Sequence, residues 1–132
     1  MKNEEHVRNI KESLSIIEEC IEKGLLERQR NIGFNTSAAS VDMLELLLHK
    51  KSLIDPGFLV KHEWLNSKNK IEEKFPFEFE KKDEILGLMS KIESKRSLLC
   101  YGKQQKIELI QEVIDNFNKL RKKFNEVGLD EF

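Results

Sequence analysis

Apolar residues recur at spacings of three and four over long stretches of this chain, the period of one buried helical face. In the first stretch Val7, Ile10, Leu14, Ile17 and Ile21 repeat while Glu4, Glu12, Glu18 and Glu22 fall on other faces, which predicts a helix from about Asn3 to Lys23. Gly24 punctuates it. A second helix is expected from about Leu25 to Lys51, with an unusual density of small residues: Gly33, Ser37 and Ser40 form one strip, continued by Leu44 and Leu47. Small side chains let helix backbones approach closely, so this helix belongs at the centre of a bundle. Gly33 costs a helix about 1 kcal/mol relative to alanine, and close packing is the favoured reason for its presence.

Asp55-Pro56-Gly57 closes that region, and Phe58 to Phe75 carries Trp64, Leu65, Lys68, Ile71 and Phe75 on a rough stripe, predicting a shorter helix. Proline bars the segment Phe75-Pro76-Phe77-Glu78-Phe79 from continuing it, so its phenylalanines are expected to lie across the bundle as a packed connector. Ile85, Leu88, Met89, Ile92 and Leu99 then define a helix from about Lys82 to Tyr101, with Gly102 expected to stop it in a left-handed conformation. The last helix, from about Gln104 to Glu126, buries Ile107, Ile110, Val113, Ile114, Phe117, Leu120 and Phe124, and the chain is expected to fray after Gly128.

Composition agrees with this pattern. Charged residues make up 36% of 132 residues against 39% hydrophobic, with two prolines and six glycines, the balance of amphipathic helices rather than of a sandwich or barrel. One domain spanning residues 1–132 and one core are expected. Lys and Arg (23) cancel Asp and Glu (24), so any polyanion contact needs a local patch. Cys20 and Cys100 have no partnering His or Cys motif and read as reduced core residues; no metal site and no cofactor are expected. No apolar run approaches the roughly 20 residues needed to span a bilayer, and the charged N-terminus lacks an apolar signal region, so a cytoplasmic protein with no membrane partner is expected.

The stretch from Ile92 to Lys103 is where chemistry is expected. Arg96 lies on the apolar stripe of its helix, and a cation there needs an internal partner, a dimer seam or a ligand. Lys95, Arg96, Lys103 and Lys106 are joined between residues 95 and 106 by no acidic residue. Two readings stand open. Arg96 pairs with an acid of the central helix, such as Asp42 or Glu45, or Lys95, Arg96, Ser97 and Lys103 bind an anion. Lys119, Arg121, Lys122 and Lys123 read as a solvated helix face, and His6, His49 and His62 as surface or helix-end residues.

With Arg30 to Lys51 and Arg96 to Lys103 in view, the chain resembles the HEPN-domain family of small all-helical nucleotide-binding proteins. Ribonucleases of that family carry an arginine, often followed by a polar residue, then a histidine after four to six intervening positions, and they join two copies of the motif across a dimer. Here Arg96 and Ser97 match, Tyr101 stands in place of the histidine, and no histidine follows Arg96. The resemblance implies an all-α fold, an antiparallel bundle of four main helices plus a shorter one, and a homodimer. It also implies RNA or nucleotide as ligand, and a nucleotidyltransferase-type protein as partner.

Chemistry weighs the substitution. Arg96 is permanently cationic and matches phosphate oxygens two at a time. A phenol titrates near pH 10 against about 6.5 for imidazole, so Tyr101 is handicapped as a base at neutral pH by roughly 4 kcal/mol, although it can donate a hydrogen bond or stack on a nucleobase. Three functions follow: an RNA- or nucleotide-binding module, catalytically weak or inactive; a metal-independent endoribonuclease of toxin type using Arg96 and Tyr101 as catalytic residues; or a structural helical dimer without ligand.

Overall fold

A computed structural model describes all 132 residues, and they form an all-helical protein without strands. In chain order it has α1 (Asn3–Lys23), α2 (Gln29–Lys50), a short 3-10 helix (His62–Asn66), α3 (Lys68–Lys74), α4 (Lys82–Tyr101) and α5 (Ile107–Glu126). No helix is long and apolar enough to cross a membrane.

Helix α2 is the central element, packing on α1, α4 and α5. It is buried along most of its circumference, from Ile32 and Gly33 through Thr36, Ser37, Ala39 and Ser40 to Leu48. Its close approach to α4 depends on Gly33: a Cβ there would lie 2.7 Å from Leu99 Cβ and 2.9 Å from Cys100 Sγ. Thr36 and Ser40 cost little to bury because they bond back along this helix, Thr36 Oγ1 donating to Ile32 O (2.7 Å) and Ser40 Oγ to Thr36 O (2.6 Å).

Helices α1 and α4 have the bounds their periodicity predicts, but α1 is rotated slightly from the expected stripe. His6, Ile10, Ser13, Ile17 and Cys20 are buried, whereas Ile21 is 48% exposed. Helix α2 begins four residues later than expected, after a turn at residues 25–28, and α5 begins at Ile107, which is exposed. The helix expected over Phe58 to Phe75 is instead two short pieces. Ser67 adopts extended backbone (φ −131°, ψ 119°) and its Oγ accepts from Lys70 N at 3.2 Å, so it serves as the N-cap of α3 and breaks the run before it. The connector behaves as its proline and phenylalanines dictate: Phe75 is fully buried, and Trp64, Phe75, Phe77 and Phe79 form a chain of ring contacts.

Two terminations differ from expectation. Gly102 is extended (φ −87°, ψ 178°) rather than left-handed; glycine is needed because a Cβ would meet Leu98 O at 2.5 Å. After α5 the chain does not fray. Gly128 takes φ 119°, its N–H bonds Asn125 O and the Leu129 N–H bonds Phe124 O, a Schellman arrangement that turns the fully buried Leu129 back into the core. Cys20 and Cys100 are free and buried, as expected, and burial pushes both thiols up, away from nucleophilic use.

Candidate functional site

The seam between α2 and the C-terminal half of α4 carries the densest polar chemistry on an accessible face. Arg30 and Phe34 lie one turn apart on α2, and Arg96 and Tyr101 come from α4. The Arg30 and Arg96 guanidinium carbons each lie 5.4 Å from the centre of the Phe34 ring, and Arg30 lies 5.9 Å from that of Tyr101. Phe34 and Tyr101 meet edge to face at 5.8 Å. Each cation over a ring face is stabilised by roughly 0.5–1 kcal/mol at such exposed sites. Two guanidiniums on one ring also repel, and a single carboxylate answers them: Glu93 Oε1 is 3.9 Å from Arg96 Nε, while Arg30 has no acidic partner.

Glu93 is therefore the internal partner of Arg96. Asp42 and Glu45, the acids expected for that role, are engaged elsewhere, Asp42 by His6 and Glu45 by the Val60 N–H. The expectation failed because Glu93 is on Arg96's own helix, three residues back, where the i, i+3 geometry brings both side chains to one face. Even so, Arg96 Nε is buried without a hydrogen-bond partner, and the side chain keeps 28% of its surface exposed. The pairing leaves capacity for another acceptor.

Glu93 is itself only 6% exposed and is engaged at its second oxygen. Ser37 Oγ donates to Glu93 Oε2 (2.7 Å), and His62 Nδ1 lies 2.9 Å from Ser37 Oγ and 3.1 Å from Glu93 Oε2. Since the serine has one proton and gives it to the carboxylate, both atoms facing Nδ1 are acceptors, which places the imidazole proton on Nδ1. In the neutral ring Nε2 then carries the free lone pair. His62 is about one third exposed at its side chain. Sequence spacing gave no sign of this contact: His62 is a helix-end residue, as expected, at the start of the 3-10 helix, but it reaches Glu93 across 31 positions.

The residues expected to bind an anion do not all gather here. Arg96 and Tyr101 share the ring cluster, with Tyr101 67% exposed. Lys95 instead lines a groove between α4 and α5 of about 840 Å³, among Lys91, Glu108, Glu112, Asp115 and Lys119, where the charges are mixed. The cause is the helical period, which turns adjacent positions about 100° apart. Ser97 is exposed, and Lys103 contributes its backbone: its carbonyl accepts from Gln29 Nε2 at 3.1 Å. Buried Gln29 also donates to Leu99 O (3.3 Å) and accepts from Gln105 N (2.7 Å) and Gln104 Nε2 (2.9 Å), pinning the α4–α5 connection and with it Tyr101.

The basic run near the C-terminus is partly paired, Lys123 with Glu84 at 3.2 Å and Arg121 with the Phe132 carbonyl, and it shares no residue with the seam. No family model, no curated protein and no solved structure matches this chain.

Proposed function

We propose that this chain is an RNA- or nucleotide-binding module of HEPN-like type, with four long helices arranged as an antiparallel bundle and with weak catalysis or none. The observation that carries the reading is the pair of guanidiniums, Arg30 and Arg96, flanking Phe34 beside the exposed ring of Tyr101, with only Glu93 to neutralise them. A phosphate supplies the missing negative charge and takes two parallel N–H bonds from a guanidinium. The exposed phenol ring offers a face on which a base stacks, worth roughly 1–3 kcal/mol per base.

In binding assays with single-stranded RNA, Arg96→Ala is expected to weaken affinity more than Tyr101→Phe. The first removes a charge-assisted phosphate contact; the second keeps the ring and loses one hydroxyl. Affinity should fall with rising salt in proportion to the phosphates engaged, with a smaller slope in the arginine variant. Unchanged binding in Arg96→Ala, accompanied by a large loss of stability, would leave only the structural reading.

The reading includes a homodimer that brings two seams together, with Leu98 (41% exposed) and Tyr101 as apolar surface for its interface. A two-fold contact burying more than about 1,200 Å² in total is expected. Sedimentation should then give twice the 15.6 kDa chain mass, and a monomer at concentrations where RNA binds would refute it. A nucleotidyltransferase-type protein is the proposed partner of such a dimer.

A second reading, the metal-independent endoribonuclease, is favoured by His62. With Nδ1 held on Glu93, its Nε2 offers an imidazole lone pair as general base, while Arg96 beside the same carboxylate offers a cation to developing phosphorane charge. Incubation of labelled RNA in chelator decides between the two. The binding module leaves RNA intact or cleaves it very slowly; robust cleavage lost in both Arg96→Ala and His62→Ala identifies the nuclease.

A further inference from the structure

At the α1–α2 seam, away from the arginine–aromatic cluster, a fully buried histidine faces two carboxylates. His6 Nδ1 lies 2.8 Å from Asp42 Oδ1, and His6 Nε2 lies 3.3 Å from Glu45 Oε2 without forming a hydrogen bond. Glu45 is held in place from its other side, where Oε1 accepts the Val60 N–H at 2.7 Å. His49, one turn along α2 from Glu45, also has a buried Nε2 without a partner, and its ring centre is 5.8 Å from that of His6.

The proton count exposes what is missing. An ionised Asp42 only accepts, so Nδ1 of His6 carries the proton and, in the neutral ring, Nε2 presents a lone pair to the oxygen of Glu45. Two lone pairs facing each other out of water need something positive between them. A charge-assisted N–H···O bond would close to about 2.7–2.9 Å, and 3.3 Å is too long for it. It does match the edge of a tetrahedron around an ion with metal–nitrogen and metal–oxygen bonds of about 2.0–2.1 Å, which spans roughly 3.3–3.4 Å.

We propose that His6 Nε2, Glu45 and His49 bind a divalent transition-metal ion, with zinc the best fit, and that Asp42 orients His6 from its far nitrogen. Two imidazoles and a carboxylate form a donor set that zinc takes up, with a fourth position left for water or a further ligand. A carboxylate on the remote nitrogen of a ligating histidine fixes its tautomer and strengthens it as a donor. Of the proposed ligands, His6 and Glu45 belong with Asp42 to a group whose donor atoms lie within 4.8 Å of one another, and His49 joins them from a ring centre 5.8 Å from that of His6. On its outer side His49 borders an open surface cavity of about 540 Å³ beside Glu4 and Glu5. This site is independent of the RNA-binding reading, since it shares no side chain with it.

The test uses the full chain, stripped with chelator, dialysed and titrated with Zn²⁺ in a calorimeter, with Co²⁺ as a spectroscopic probe. One equivalent of zinc should bind, the melting temperature should rise with zinc, and cobalt should give the intense visible bands of tetrahedral coordination. Asp42→Asn should weaken zinc about 10–100-fold, and Glu45→Gln should abolish stoichiometric binding. His49→Ala, a change at a partly exposed helix end, should lose the tetrahedral cobalt spectrum while keeping the helical circular dichroism. Absence of a one-equivalent site in the wild type overturns the proposal in favour of a buried, protonated His6. So does zinc binding equally well to the Glu45→Gln and His49→Ala variants, which would place the ion on surface carboxylates.

Discussion

Glu93→Ala should lower stability by about 2–3 kcal/mol, read as a fall in the urea midpoint at constant slope, while leaving RNA binding intact or tighter. The stability loss comes from the buried hydrogen bond donated by Ser37, which is to a charged acceptor, and from the stranding of that hydroxyl. The contributions from His62 and Arg96 are smaller, because both side chains reach solvent and the arginine is 3.9 Å away. Binding moves the other way because the substitution deletes the one negative charge that competes with phosphate for Arg96. A loss of both would mean that Glu93 positions Arg96 for its ligand. Glu93→Gln, which keeps an acceptor for Ser37, should recover most of the stability.

Gly33→Val should be comparably damaging, by about 2–3 kcal/mol, despite placing a better helix former in α2. Even a single methyl would overlap Leu99 Cβ and Cys100 Sγ, and the branched side chain adds two more carbons where backbone and side chain of α4 leave no room. The helices must separate at the level of Leu99, so Tyr101 and Arg96 should shift away from Phe34 and RNA binding should weaken as well. Thermal unfolding and RNA titration of the same variant check both effects. A variant as stable as the wild type would show that α4 slides without cost.

How much of this was readable from the chain depended on how local the determining contact was. The bounds of α1 and α4 follow from periodicity, and the role of Gly33 from the strip of small residues around it, because each is decided within a few turns of one helix. Ser67 was missed because it lies beside an otherwise continuous apolar stripe, and the stripe does not reveal that a neighbouring serine will cap the backbone and break the helix. The sites were less legible. Arg96 and Tyr101 are singled out by a local motif, whereas Phe34 and Arg30 meet them only when α2 packs on α4. His62 reaches Glu93 across 31 residues and His6 reaches Asp42 across 36, separations at which spacing carries no information. Single histidines amid charged residues read as surface, and only the packed carboxylates opposite them say otherwise.

Helix α2 carries, along one continuous backbone, Gln29 at its start, Ser37 at its middle and Asp42 with Glu45 beyond, and these engage the α4–α5 connection, α4 with the 3-10 helix, and α1 respectively. Greased apolar surfaces tolerate small rotations; directional bonds at three heights do not. The helix is thus keyed like a shaft at three points, and a single residue inserted near Thr36 would turn everything beyond it by about 100° relative to what precedes it. Length changes are tolerated better in the loop after α2, short of Val60, whose N–H bonds Glu45, while α2 itself has to keep its length whatever its individual side chains.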